Sequence, residues 1–118
     1  MSTVNLFKQV AEVETFPAGA IIFEQGEYGD VMYLVEEGEI EIMIGNQVVE
    51  TVRKNGMVGE MALISDLPRS ATAIAKTDCK LIPLNEQKFK MHVQLTPMFS
   101  LKVMKTMAHR MQAMNAQL

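Results

Sequence analysis

From about residue 20 to residue 84, turns that contain glycine divide the chain into short runs of apolar and β-branched residues. Runs of about four to eight such residues are typical of strands, and glycine accepts the backbone angles of tight turns. The predicted strands are residues 20–23, 31–35, 39–44, 47–52, 70–75 and 79–84. Many short strands at close spacing favour a β-sandwich or barrel of the jelly-roll kind. The spacing alone does not choose between a roll and another sandwich.

The clearest predicted strand is residues 39–44, in which isoleucines alternate with two glutamates and a methionine. This period of two predicts a strand with one buried face. Gly45-Asn46 is a two-residue hairpin signal, so residues 47–52 are predicted to return beside that strand. Earlier in the chain, Gly26 and Gly29 lie in one loop, and both are predicted to have positive φ.

Length and composition exclude several classes of protein. A chain of 118 residues with 48% hydrophobic and 21% charged residues fits a single globular domain. No apolar run reaches the roughly 20 residues of a membrane span, and the N-terminus lacks the features of a secretion signal. Cys79 is the single cysteine, which excludes an internal disulfide and, with two histidines, a zinc or iron–sulfur ligand set. We therefore expect a cytoplasmic protein without a metal, in which Cys79 is a small strand residue.

Charge is distributed unevenly along the chain. The net charge is −3, but residues 1–86 contain all 14 acids and 6 bases, whereas residues 87–118 contain 5 bases and no acid. The basic tail is expected either to pack on the acidic body or to bind a partner with an acidic surface. Direct binding of nucleic acid is not expected, because five dispersed bases form no dense patch and no reading helix follows.

Helices are expected at both ends of the chain. Apolar residues at helical spacing predict a short helix over residues 3–12; they are Leu6, Val10 and Val13. After the last strand, Asn85 can cap a helix, and Glu86 lies well at its positive end. Thr96-Pro97 then begins a second helix, with threonine as the cap and proline in the first turn.

The last helix contains an apolar seam with spacings of three and four residues. The residues of this seam are Met104, Met107, Met111, Met114 and Leu118. This is a heptad pattern over about two repeats, which is typical of paired helices. The seam is expected to form a homodimer, to pack on the body of its own subunit, or to bind a groove of another protein. Lys102, Lys105 and Arg110 remain for a partner or a ligand.

The stretch of residues 59–72 is the expected functional centre. Gly59 and Glu60 open a short apolar run that fits one or two helical turns. A helix start attracts anions through its unpaired N–H groups, and glycine lets a ligand approach the backbone closely. Arg69 adds a planar fork suited to phosphate, and Ser70 adds a hydroxyl. Glu60 would repel a phosphate, so we expect it either to accept hydrogen bonds from sugar hydroxyls or to pair with Arg69.

This stretch resembles a known motif. Gly59-Glu60-Met61-Ala62-Leu63 and Pro68-Arg69-Ser70-Ala71-Thr72 resemble the phosphate-binding cassette of cyclic-nucleotide-binding domains. That family includes catabolite activator protein, the regulatory subunits of protein kinase A and cyclic-nucleotide-gated channels. Upstream, Pro17-Ala18-Gly19, Gln25-Gly26 and residues 32–39 are similar to the family's strand and turn signatures. The resemblance begins at about Phe16, so it covers nearly the whole chain.

The resemblance implies a mainly β fold with flanking helices. The expected fold is an eight-stranded β-roll (a jelly roll, or double-stranded β-helix) at about residues 14–84. An N-terminal helix, a short cassette helix and C-terminal helices at about residues 85–118 complete one domain over residues 1–118. We expect a stand-alone domain, because the chain begins with methionine and leaves no room for a helix-turn-helix after Leu118.

The resemblance also implies a ligand and its contacts. Arg69 would bind the cyclic phosphate, and Glu60 would bind the ribose 2′-hydroxyl. The backbone amides of Ala62 and Ala71 would also lie at the phosphate, and the Ser70 hydroxyl would reach it. The implied ligand-binding set is Gly59, Glu60, Met61, Ala62, Arg69, Ser70 and Ala71. Frequency within the family favours cAMP over cGMP, and no further cofactor is implied.

The expected function is therefore a regulatory sensor module that signals to a downstream protein by movement of its C-terminal helix. No catalytic residue is predicted, because Ser70 has no histidine nearby in sequence and no motif suggests a triad. Two alternatives are a self-associating structural module without ligand control and the sensor domain of a larger transcription regulator or channel.

Overall fold

Two four-stranded antiparallel sheets form the body of the protein. The structure is a computed structural model that describes residues 12–116 and the side chains of residues 12–113. The strands are β1 (Glu14–Phe16), β2 (Ile21–Phe23), β3 (Val31–Glu37), β4 (Ile40–Ile44), β5 (Gln47–Val52), β6 (Met57–Val58), β7 (Thr72–Ala75) and β8 (Cys79–Asn85). The first sheet has the order β1-β8-β3-β6, and the second has the order β2-β7-β4-β5.

The sandwich core, between the two sheets, contains residues from both. Its buried members are Val35, Ile40, Val52, Val58, Ala73, Ala75, Cys79 and Leu81. Because side chains alternate along a strand, β3 and β8 also point apolar residues away from the second sheet. These residues belong to an outer core of Met32, Leu34, Met57, Ile82, Leu84, Phe99 and Val103. The first sheet is therefore covered on both faces.

Three helices complete the described chain: α1 (Met61–Ile64), α2 (Glu86–Leu95) and α3 (Pro97–Ala116). As predicted, Asn85 caps α2, and its side chain accepts a hydrogen bond from the Lys88 N–H at 2.9 Å. Phe99 and Val103 of α3 lie in the outer core, where the Phe99 ring meets Phe89 of α2 edge to face at 5.6 Å. The C-terminal helices are thus fixed to the first sheet by apolar packing.

The eight-stranded fold is confirmed, and the β4–β5 hairpin lies at the predicted turn, with Ile44 opposite Gln47. β1 and β6 had no strand prediction of their own. The strand predicted over residues 70–75 begins at Thr72. The helix predicted over residues 3–12 falls almost entirely outside the described residues.

One sequence prediction needs correction. Gly26 has a φ of +90°, as predicted, but Gly29 does not have a positive φ. In the helical seam, Met107 packs partly buried against the outer core of its own subunit, while Met104 and Met111 are exposed. Met107 therefore lies on the core side of the seam, and Met104 and Met111 lie on its exposed side. The side chains of Met114 and Leu118 lie outside the described part of the chain.

Among the helices of residues 12–116, none has the length and apolar character to cross a lipid bilayer.

Candidate functional site

The segment between β6 and β7 turns sharply at its start. Gly59 has a φ of +77°, which side chains rarely allow, and Glu60 is the N-cap residue of α1. The Ala62 N–H donates to the Gly59 carbonyl at 3.1 Å, so this amide is used within the turn. α1 has four residues and ends at Ser65. It is the short cassette helix that the sequence predicted.

Two hydrogen bonds hold the backbone of Arg69 in place. Its N–H donates to the Glu27 carbonyl at 2.7 Å, and its own carbonyl accepts from the Gly26 N–H at 2.8 Å. Glu27 and Gly26 lie in the loop between β2 and β3. The turn at Gly26, with its positive φ, therefore fixes the position from which the Arg69 side chain extends.

The guanidinium group of Arg69 contacts three elements. Its Nη1 donates to the Gly59 carbonyl at 3.2 Å, and its Nη2 donates to the Val31 carbonyl at 2.8 Å. Its Cζ lies 4.2 Å from the ring centroid of Phe23, a cation–π distance. Partial burial lowers the pKa of Arg69, against the opposing effect of nearby groups that include Tyr33. An arginine nevertheless keeps its charge, because its ordinary pKa lies far above neutral pH.

Glu60 is almost fully buried, with 2% of its surface exposed. Its Oε1 accepts a hydrogen bond from Nη1 of Arg110, which lies on α3. A buried carboxylate is costly unless a cation and hydrogen bonds compensate for the lost water. The structure supplies that cation from the C-terminal helix and not from Arg69, so the alternative of a Glu60–Arg69 pair is not the arrangement found.

Arg110 binds three parts of the roll at once. Its Nε donates to Glu50 Oε1 at 2.9 Å and its Nη2 to Glu50 Oε2 at 3.3 Å, which is a two-pronged contact. Nη2 also donates to the Met57 carbonyl at 2.6 Å. Burial alone would lower the pKa of Arg110, but Glu50 and Glu60 outweigh it and raise the pKa. α3 is thus tied to β5, β6 and the cassette by one side chain.

The remaining basic residues of α3 differ in their surroundings. Lys102 donates through Nζ to the Asn55 carbonyl at 2.5 Å, and burial lowers its pKa. Lys105 is exposed. The interpretation that the basic tail packs on the acidic body therefore holds for Arg110 and Lys102, while Lys105 remains at the surface.

The predicted ligand-binding residues lie on one continuous segment. Glu60 and Ala71 are buried, Arg69 and Ala62 are half-buried, and Ser70 and Met61 are exposed. A cation with hydrogen-bond donors and a buried carboxylate can bind an anion and a neutral hydroxyl respectively.

Sequence reasoning missed several residues around this segment. The Arg69 side chain is surrounded by residues about 40 positions earlier in the chain, namely Phe23, Gly29 and Val31. The partner of Arg110, Glu50, lies 60 positions before it. No local periodicity relates residues so far apart. Gly29 was noted in the sequence, but for a positive φ and not for the space that the Arg69 side chain needs.

Comparison with known families and proteins agrees with the motif. The profile of the cyclic nucleotide-binding domain family matches residues 13–94. Over 80 residues, 66% of the chain, it is 38% identical to the cGMP-dependent protein kinase of Plasmodium berghei. Over 77 residues, 64% of the chain, it is 42% identical to the cAMP-dependent protein kinase regulatory subunit of Aspergillus fumigatus. These matches span 9% and 19% of the two relatives.

A solved structure gives the same result for the fold. The catabolite activator protein of Thermus thermophilus superposes with a TM-score of 0.80 at 25% sequence identity. The superposition covers 97% of this chain and 56% of that protein. Because the family profile matches well over half of the sequence, the chain belongs to the cyclic nucleotide-binding domain family.

Proposed function

We propose that this chain is a regulatory module that binds a 3′,5′-cyclic nucleotide in its cassette, with cAMP as the ligand. The observation that carries the proposal is the placement of Arg69 and Glu60. A half-buried guanidinium and a buried carboxylate lie on one short segment, at the two ends of the turn and helix that join β6 to β7.

Arg69 is proposed to bind the cyclic phosphate, because its planar fork can donate to two oxygens of one phosphate. Glu60 is proposed to accept a hydrogen bond from the ribose 2′-hydroxyl. Arg110 contacts Oε1 of Glu60, and the hydroxyl would donate to Oε2. Gly59, Met61, Ala62, Ser70 and Ala71 complete the proposed set. cAMP is proposed over cGMP because it is the more frequent ligand within the family, and the two relatives include one protein named for each nucleotide.

The signal is proposed to leave through α3. Arg110 joins this helix to Glu60, so a ligand that contacts Glu60 also acts on the group that holds the helix. A ligand shifts a conformational equilibrium by its difference in affinity for the two states. Hydrogen exchange with and without cAMP measures this shift: we expect greater protection at residues 59–72 and changed exchange across residues 98–113. Change confined to residues 59–72 would rule out the helix as the route.

Calorimetry with cAMP and cGMP tests the binding function itself. We expect a dissociation constant of about micromolar or below, roughly −8 kcal/mol. Arg69→Ala should weaken binding by ~2–4 kcal/mol, because a phosphate charge loses its fork. Arg69→Lys should also weaken binding, since lysine lacks the planar pair of donors. Lys76→Ala, an exposed residue beyond β7, is the matched control and should bind like the wild type. Absence of heat for both nucleotides with the folded wild type would disprove this function.

Self-association through α3 is a second candidate function. Met98, Leu101, Met104 and Met111 are exposed on one side of the helix, away from the outer core. Exposed apolar residues at helical spacing are typical of helix pairs. Sedimentation of the wild type with and without nucleotide tests this candidate, and a monomer at all concentrations would exclude it.

A further inference from the structure

The Arg69 side chain occupies a slot whose walls come from three different elements. The Phe23 ring of β2 lies under the guanidinium at 4.2 Å. The carbonyls of Val31 and Gly59 accept hydrogen bonds from its two terminal nitrogens. Stacking fixes the plane of a guanidinium, and two carbonyls fix its rotation within that plane. Together these contacts define one orientation.

Two glycines make the slot wide enough. A Cβ atom at Gly29 would lie 2.5 Å from Nη2 of Arg69, and a Cβ atom at Gly59 would lie 2.6 Å from Nη1. At Gly59 the positive φ already favours glycine. Gly29 does not have a positive φ, so its backbone conformation does not require glycine. A side chain is excluded there because the guanidinium of Arg69 occupies the space.

The slot leaves part of the guanidinium for an anion. An arginine has five N–H donors, and the two carbonyls take one from each terminal nitrogen. Among the described residues, no group accepts a hydrogen bond from the other three donors, which include the Nε–H. These three donors remain for phosphate oxygens. The bonds between the Arg69 backbone and the loop at Gly26 and Glu27 keep the base of the side chain in place.

We infer that Phe23 and Gly29 are positioning residues, which orient the Arg69 guanidinium for a phosphate before any ligand arrives. The inference rests on the proposed function and adds residues outside the cassette to it. Its physical basis is pre-organisation: a long side chain that is already ordered loses less conformational freedom when the ligand binds. The phosphate affinity of the cassette then depends on a ring in β2.

Calorimetry of Phe23→Leu, Phe23→Tyr and Gly29→Ala with cAMP and cGMP tests the binding part. The leucine keeps apolar volume but removes the ring, and we expect about tenfold weaker binding, within the range of a partly desolvated cation–π contact. Tyrosine keeps the ring and should restore affinity to within about twofold. Gly29→Ala should weaken binding about tenfold or more, because the new methyl group displaces the guanidinium.

Phe16→Leu is the matched control, because Phe16 also packs partly buried against the sandwich core but pairs with Tyr33 instead of Arg69. It should cost similar stability in thermal unfolding and leave affinity unchanged. Equal loss of affinity in Phe16→Leu and Phe23→Leu would overturn the inference, since both would then act through the core.

Nuclear magnetic resonance of the nucleotide-free protein tests the orientation directly. The Arg69 side-chain protons should be shifted upfield by the Phe23 ring in the wild type, Phe23→Tyr and Phe16→Leu, and this shift should vanish in Phe23→Leu. Unshifted Arg69 protons in the wild type would overturn the inference. A wild type that binds nucleotide while Phe23→Leu binds equally well would also overturn it but leave the proposed function intact. A wild type that binds neither nucleotide would remove the proposed function first, before any variant is compared.

Discussion

Arg110 of α3 and Glu60, the residue that precedes α1, form an ion pair beneath the surface, although 50 residues separate them along the chain. The pair connects the C-terminal helix to the segment in which the ligand-binding residues are proposed. The pair also fixes the carboxylate of Glu60. The guanidinium of Arg110 binds one of its oxygens, and the backbone of Glu60 is fixed as the N-cap of α1. Both properties can be measured separately.

The carboxylate of Glu60 can be tested with a modified ligand. If Glu60 accepts a hydrogen bond from the ribose, 2′-deoxy-cAMP should bind ~1–3 kcal/mol more weakly than cAMP, because a buried acceptor is left unpaired. The Glu60→Ala variant should bind both ligands with equal affinity. Competition calorimetry measures the difference. Equal affinities in the wild type would show that Glu60 pairs with Arg110 and does not bind the sugar.

The cation of the pair can be tested by removal. Arg110→Met keeps an unbranched apolar stem but removes the guanidinium and leaves Glu60 as a buried, unpaired charge, so we expect a loss of about 3–5 kcal/mol in the free energy of unfolding. Adding Glu60→Gln to this variant should recover part of the loss, because the unpaired charge is removed. Denaturant unfolding measures both. Lys105→Met, on the exposed side of the same helix, is the control and should change stability by less than about 0.5 kcal/mol. No recovery in the double variant would show that Glu60 has water or another partner in solution.

The methionines of α3 should respond differently to a charge. Met107→Glu places a carboxylate against the outer core and should destabilise the fold, by about 2 kcal/mol or more. Met111→Glu, at an exposed position, should leave the stability of the monomer unchanged. Thermal unfolding gives the first comparison and sedimentation gives the second. If Met111→Glu alters sedimentation without altering stability, the exposed side of α3 is a contact between subunits.

The aromatic contact between α2 and α3 predicts a large effect of one substitution. Phe99 is 1% exposed and meets Phe89 edge to face, so Phe99→Ala should cost about 3–5 kcal/mol through the cavity that it leaves. Its neighbour Met98 is 69% exposed, and Met98→Ala should cost less than about 0.5 kcal/mol. Chemical denaturation of the two variants makes this comparison. Similar stabilities would mean that α3 does not pack on the sheet as described.

His92 predicts a dependence of stability on pH. Burial, with a smaller contribution from Lys88, lowers the pKa of His92 below its ordinary value of 6.5. The unfolded chain therefore takes up a proton before the folded one does. Stability should be fully present above about pH 6.5 and should decrease as the pH falls toward the lowered value. Denaturant unfolding between pH 7.5 and 5 should show a smaller decrease for His92→Gln, whereas the exposed His109→Gln should behave like the wild type.

The sequence correctly predicted those elements whose pattern lies within a few neighbouring residues. The isoleucines of β4 show the period of two, Asn85 precedes its helix as a cap should, and the cassette is one contiguous motif. β1 and β6 have three and two residues, too few to show any period, so no strand was predicted for them. Met107 packs against the outer core of its own subunit, which is one of the three alternatives that the heptad spacing left open. The contacts of Arg69 and Arg110 join residues from distant strands, and only the fold brings them together.

The packing of α3 limits how this helix can move. Phe99 and Val103 lie in the outer core and Met107 packs partly buried against it, whereas Arg110 is held by hydrogen bonds and charge. Apolar contacts of this kind are lost only when the fold is disrupted, but a polar contact can be exchanged for water or for a ligand. The apolar contacts therefore fix the helix from Phe99 to Met107, and the proposed movement would involve the part of the helix from Arg110 onward. In the proposed signalling route, a ligand that contacts Glu60 would change the contact that ties Arg110 to the cassette.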